Sequence, residues 1–452
     1  MNAGEYIMEN VDKIIENNKL IVKGDVVGVA CSGGIDSMSL LHYLHTNKDK
    51  WGCEVIALNI DHDLRPTSAG DSLFVINWCN ANGIKCLSQK VDVKKLVEEK
   101  KYTVEQAARE LRYKAFKKML DKHIVTKIAL GHHMNDQAET ILLNIFRGAG
   151  LGGACGMEVM RDGVYIRPML STSRVQIKAY AATNDIPFVE DETNYSNDYA
   201  RNYIRNMIMP VIRNKWSNAD ANICAFGEVC RQDDQFIFNQ IPKDSVVYED
   251  DHTAKIFASY FVNSDSLVFR LILDTLKHIG FAKDVEKKHL RIIKNMAIES
   301  KNGSRISLPN GLSVIKEYNF ITLTNRNVKK QKKTWKMERG KIDIPGLGVI
   351  EVDLLRKFKV GDYKCMLDHA KLPKGAVFRC RKDGDVFEKF GGGTKSLNEY
   401  LIEKKVPARL RDVLPVLAVG NEVYCIPGVE ISDKVRIDKK TTSVYVINLV
   451  TF

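Results

Sequence analysis

The chain has 452 residues, enough for two to four domains with cores of their own. Hydrophobic residues make up 44% and charged residues 27%, as in a soluble globular protein, and no apolar run approaches the ~20 residues of a membrane span. The formal net charge of +12 favours a polyanionic partner, with nucleic acid ahead of acidic membrane.

The N-terminal stretch, through Ile21, predicts an amphipathic helix carrying several acids, not an export signal. The ten cysteines are scattered and no pair has CxxC spacing. A ribbon-type zinc site and a dithiol redox motif are therefore not expected, and the chain reads as reduced and cytoplasmic.

Next comes "VVGVACSGGIDS", Val26 to Ser37. Val26, Val27, Val29 and Ala30 predict a buried strand of a parallel sheet, and Met38, Leu40, Leu41 and Leu44 recur at helical spacing. The polar residues between them form a strand-to-helix turn. Gly33 and Gly34 supply backbone angles that other residues resist and let a ligand approach the main chain. Amides gathered at a helix N-terminus make an anion site, most often for phosphate. A tight turn capped by Ser32 or Ser37 accounts for the same residues. The lysine-bearing loop GxxxxGK[ST] is not matched, so a different nucleotide loop is needed.

The alternation continues to about residue 170. Strands are expected at 26–31, 54–61, 85–91 and 127–131, and helices at 36–46, 68–82, 103–123 and 135–147. Thr103 and Gln106 have capping-box spacing. The pattern predicts an α/β fold: a doubly wound, mainly parallel sheet with ligands at the carboxyl ends of its strands. Ser32–Ser37, Asp61–Arg65 and His132–Glu139 fall at those ends. Residues 190–206 read as a substrate loop entering a helix, or as a solvated connector. A catalytic domain over 1–215 is then followed by a mostly helical middle domain over 216–328, ending in a hairpin that turns at Asn310-Gly311. The basic run at 326–341 reads as a flexible solvated linker around one tryptophan, or less often as a direct RNA contact, and opens a segment of linker and connecting strands over 329–370. A small α+β C-terminal domain, 371–452, carries a helix near 396–404.

"SGGIDS" resembles the SGGxDS loop of the PP-loop ATP pyrophosphatases, which split ATP into AMP and pyrophosphate. In order, "DHDLR" (Asp61–Arg65), "EQAARELRY" (Glu105–Tyr113), "GHHMNDQAET" (Gly131–Thr140), "FRGAGLGG" (Phe146–Gly153), "RPML" (Arg167–Leu170) and "DETNYSNDYARNYIR" (Asp191–Arg205) resemble segments of the tRNA(Ile)-lysidine synthetases. So does Lys395–Val429 near the other end. The resemblance implies that ATP adenylates the carbonyl oxygen of the wobble cytidine in an isoleucine tRNA with a CAU anticodon. The ε-amine of free L-lysine then displaces AMP, giving lysidine. By the same resemblance, Ser32, Gly33, Gly34, Ile35, Asp36 and Ser37 hold ATP, and Asp36 binds Mg²⁺. Asp36, Arg112, His133, Asp136 and Glu139 are catalytic, Asp136 and Glu139 seat lysine, and Arg201, Arg205 and Lys395 meet the tRNA. No membrane is expected, and a homodimer is left open. Two positions depart from the family pattern: Asn135 replaces a common aspartate and Val386 a common basic residue.

The chemistry fits these residue types. Asp36 beside a triphosphate is repulsive without a cation, which argues for Mg²⁺, although an acid at a helix start also complements the dipole. Arg109 and Arg112 lie three apart on one helix face, suited to phosphates. His132 and His133 can donate to phosphate or to the cytidine ring. Asp136 and Glu139 share a helix face and can orient lysine's ammonium, or simply complement that helix's dipole. The rivals are a tRNA thiolase, which needs paired cysteines that are absent, and a non-catalytic ATP- or RNA-binding protein, which has no need of these carboxylates.

Overall fold

The structure, a computed structural model, describes residues 8–63, 68–189, 200–282, 284–326, 330–345 and 347–451. Leu64 and Arg65, and the expected substrate loop up to residue 199, lie outside them. The chain divides into two compact units, Met1–Phe236 and Ile237–Phe452.

The first unit is built on six strands: β1 (Val26–Ala30), β2 (Glu54–Asp61), β3 (Cys86–Lys90), β4 (Lys127–Ala129), β5 (Met160–Arg161) and β6 (Tyr165–Ile166). Their order is β3-β2-β1-β4-β6-β5. Every neighbouring pair is parallel except the β5–β6 edge. Val27, Val29, Ala57 and Ala129 are fully buried, as expected of strands covered on both faces. The order reverses at β1, which lies between β2 and β4, so the loops leaving β1 and β4 part on opposite sides of a crevice. The expected mainly parallel sheet is present. Thr103 and Gln106 form the reciprocal capping box at the start of the Val104–Asp121 helix.

The second unit corrects two expectations. The expected helical stretch is present over Ala219–Asn239, but the two helices within the second unit, Asp265–His278 and Lys287–Glu299, do not stand alone. They pack on a five-stranded antiparallel sheet in the order β7 (Val246–Asp250), β8 (Thr253–Phe257), β11 (Phe320–Thr324), β10 (Ser313–Glu317), β9 (Arg305–Ser307). The turn at Asn310, with φ +60°, joins β9 to β10, and β10 turns again into β11. The basic run is also not simply a linker. Thr334–Lys336 is an edge strand, β12, that buries Trp335 and leaves its two neighbours exposed. The remaining strands form a seven-stranded sheet and a four-stranded antiparallel one, the latter joining Gly340–Ile344 and Gly348–Leu355 to the C-terminal strand Val444–Thr451. Ser396 caps the Leu397–Glu403 helix. Among the described residues, no helix is long and apolar enough to cross a membrane.

Candidate functional site

A cleft of about 1000 Å³ opens at the carboxyl ends of β1, β2 and β4, all within the first unit. Its floor is the loop after β1. Gly33 takes φ +87°, in the left-handed region, and Gly34 stands as N-cap of the Ile35–Thr46 helix without a side-chain cap bond. The first amides of that helix therefore lack the partner that a capping side chain would give. Both serines brace the loop: Ser37 Oγ donates to the Gly34 carbonyl at 3.0 Å and accepts from the Ser32 amide at 3.2 Å. Ile35 buries its side chain in the core. The loop after β4 backs directly onto this helix start, for a Cβ at Gly131 would lie 3.3 Å from Asp36 C and Ser37 N.

Asp36 lines the cleft, with Oδ1 buried and without a hydrogen-bond partner. Burial raises its pKa; Asp136 adds to this, while His133, Arg174 and Arg205 oppose it. Among the described residues, no cluster of three or more His, Cys, Asp or Glu side chains forms a ready-made metal site. A single carboxylate with an open oxygen nevertheless fits Mg²⁺, which takes few protein ligands when substrate phosphates supply the rest.

Arg112 lines the cleft with no ion pair among the described residues. Burial lowers its pKa, and the neighbouring Arg109 adds to this. It is a cation in need of an anion. Arg109 is exposed and rests on the Tyr113 ring at 5.0 Å. His133 is only 4% exposed and lies behind the cleft wall. Its Nδ1 accepts from the Asp136 amide, and its Nε2 faces Asp36 Oδ2 at 3.7 Å and Asp136 Oδ2 at 3.5 Å. The histidine on the wall itself is His132.

Asp136 and Glu139 come together on the Met134–Phe146 helix, but neither is open. Asp136 caps the helix through the His133 amide at 3.1 Å. Arg205 binds Asp136 Oδ1 at 2.8 Å and both Glu139 oxygens at 2.7 and 2.9 Å. Arg201 reaches the same two acids at 3.2 and 3.3 Å. Burial would raise the Asp136 pKa, yet His133, Arg201, His132 and Arg205 outweigh it and hold the carboxyl at about 2. The two arginines expected to meet RNA thus neutralise the two acids expected to meet lysine. Arg205 sits in a widened turn, Ile204–Ile208, where the Met209 amide reaches back five residues to Ile204. Pro210 follows, lacks an amide proton and crowds the carbonyl four residues earlier, which disfavours a regular helix here. Lys395, in the second unit, pairs with Glu403 at 2.5 Å.

The cleft also gathers Arg174, Lys178 and Arg213, which lie outside the motifs legible in the sequence, and His62 from the Asp61–Arg65 segment. Arg174 carried a signal. A cation directly after a Ser173 cap opposes the helix dipole, which an anion nearby would offset.

A family model described as a PP-loop domain matches residues 5–212, and one described as the TilS substrate C-terminal domain matches 377–448. The chain is 32% identical to the tRNA(Ile)-lysidine synthase of Clostridium tetani, over 96% of each protein. It is 30% identical to that of Clostridioides difficile, over 98% of this chain and 99% of the other. The loop, the crevice at the strand reversal and this end-to-end kinship agree: the chain belongs to the tRNA(Ile)-lysidine synthase family.

Proposed function

We propose that the chain ligates the ε-amine of free L-lysine to the wobble cytidine of an isoleucine tRNA with a CAU anticodon. ATP is cleaved to AMP and pyrophosphate through an adenylated cytidine. The observation that carries this reading is kinship along nearly the whole of both chains with tRNA(Ile)-lysidine synthases. The uncapped helix start beneath a cleft of nucleotide size supports it.

In this reading the amides of Gly34, Ile35, Asp36 and Ser37 bind ATP phosphates, with Ser32 and Gly33 shaping the loop. Asp36 would hold Mg²⁺, which when bound neutralises phosphate charge. Arg112 stabilises the anionic leaving group. Asp136 and Glu139 seat lysine, whose ε-amine arrives protonated because its pKa is about 10.4. Since both acids already hold guanidinium groups, lysine enters by exchange. Arg201, the more exposed partner with the longer contacts, releases them and turns to a phosphate of the RNA or of ATP. His133 holds Asp36 and Asp136 in register. The parts over 216–328 and 371–452 supply RNA affinity, with Lys395 among their contacts.

The decisive experiment is mass spectrometry of nucleosides from this tRNA after incubation with protein, ATP and lysine. Lysidine is the expected product, and AMP release requires the tRNA. Rapid AMP formation from ATP and lysine alone would mark an aminoacyl-adenylate enzyme and overturn the reading.

A further inference from the structure

Arg167 opens the "RPML" segment, to which the reaction described above gives no task. The residue is only 4% exposed. Its Nη1 donates to the Glu158 carbonyl at 2.5 Å, and its Nε–H donates to His132 Nδ1 at 3.3 Å. A guanidinium keeps its protons at any pH a protein survives, so the nitrogen facing it must offer a lone pair. The His132 ring then carries its proton on Nε2. It cannot become an imidazolium without setting a second N–H against Arg167.

The surroundings enforce the same state. Charged groups face His132 from four elements: Asp136 on the Met134–Phe146 helix, Arg112 on the Val104–Asp121 helix, Arg201 on Ala200–Tyr203, and Arg167 after β6. Burial first, then the three arginines, push its pKa down to about 3 against the pull of Asp136. The ring lines the cleft, one residue after the Gly131 that backs onto the phosphate loop.

We propose that Arg167 is a positioning residue that locks His132 as a neutral Nε2–H donor to an oxygen of the bound substrates, excluding it as a proton acceptor. The proposal rests on the adenylation reading. There the cytidine carbonyl oxygen bonds to the α-phosphorus while the bond from that phosphorus to the pyrophosphate oxygen breaks, and pyrophosphate leaves with the electron pair. No proton passes through His132. A fixed donor needs no reorganisation as charge moves onto the oxygen it holds.

The test uses full-length protein with ¹⁵N-labelled histidine, the His132 signals being assigned by their loss in His132→Gln. The expected spectrum shows the Nε2–H form, unchanged between pH 8 and 5. An Nδ1–H form, or titration near the ordinary value of about 6.5, overturns the proposal without reference to turnover. In Arg167→Met the Nδ1 lone pair loses its donor, and the ring should populate the Nδ1–H form beside the Nε2–H form. An unchanged spectrum counts against the lock. His132→Ala should lose ~10²-fold in turnover, as for a lost transition-state donor, and His132→Gln should recover part of it. Equal loss in both would mean a base. Binding of a non-hydrolysable ATP analogue without tRNA separates the two acceptors. Weaker binding by His132→Ala assigns the oxygen to phosphate, and unchanged binding assigns it to the cytidine.

Discussion

Asn135 stands where lysidine synthetases commonly carry an aspartate, and its surroundings give the exchange a physical sense. Its amide nitrogen donates to Asp220 Oδ1 at 3.0 Å, and its amide oxygen accepts from the Arg174 backbone at 2.9 Å. Asp220 in turn receives Arg213 at 2.6 and 2.7 Å, and Arg174 and Arg213 both line the cleft. An aspartate at 135 would set two carboxylates against each other where an amide now donates. Asn135→Asp should therefore cost about 1.5–3 kcal/mol of stability and weaken ATP binding. Asp220→Asn in the same chain should restore much of the stability. Chemical denaturation and ATP titration of the two single variants and the double one check this; full additivity of the losses would refute the pairing. None of it was legible in advance, because Asn135 and Asp220 lie 85 positions apart. The same holds for Arg205 and Glu139, 66 apart, whereas the capping box at Thr103 was legible because its partners lie three apart.

Elements were legible where their signal was local. β1 and β2 are apolar runs bounded by turns, and their positions follow from the sequence to within a residue. β7 and β8 were not seen, because their charged and polar residues mask the alternation and the sheet is completed by β11, some sixty residues later. Trp335 was hidden by the lysines around it. The second unit also contains a feature that only the fold reveals: Arg379 and Asp385 form a two-bonded ion pair at 2.8 Å, with side chains 5% and 0% exposed. Arg379 also donates to the Gly420 carbonyl, so the pair ties the Val377–Cys380 strand to the turn after the Pro415–Val419 strand. Removing one member leaves a buried charge unmatched. Asp385→Ala should cost about 3–5 kcal/mol, and replacing both members with apolar residues of similar volume should cost less. Urea denaturation distinguishes the cases; a double variant as unstable as the single one would mean that the pair itself holds the unit together.

At the scale of the whole molecule, the positive balance expected to attract RNA becomes a measurable salt dependence. Binding of the tRNA by the full chain should fall on the order of 10³-fold between about 50 and 200 mM salt as counterions are released. A fragment ending at Phe236, the limit of the first unit, should keep the ATP analogue and lose most of its tRNA affinity. A cut after Asn325 would be a poorer experiment. It separates the buried Glu317 from Arg409, its partner at 3.1 Å within the second unit. Salt-insensitive binding, or a fragment that binds tRNA like the full chain, would reassign the RNA surface to the first unit.

The arginines resting on Asp136 and Glu139 have a consequence for how the protein responds to its amino-acid substrate. A tethered guanidinium competes at an effective molarity set by its short leash, in the millimolar range or above, so a free ammonium ion must displace a rival that never diffuses away. Stray monovalent and polyamine cations meet the same barrier. Half-saturation by lysine should then be high, and turnover should track the supply of lysine rather than sit at a plateau. Arg201→Ala removes one tethered competitor. It should lower the lysine concentration needed for half-maximal turnover while weakening the hold on tRNA, whereas an unchanged requirement would mean that lysine never contends for these carboxylates.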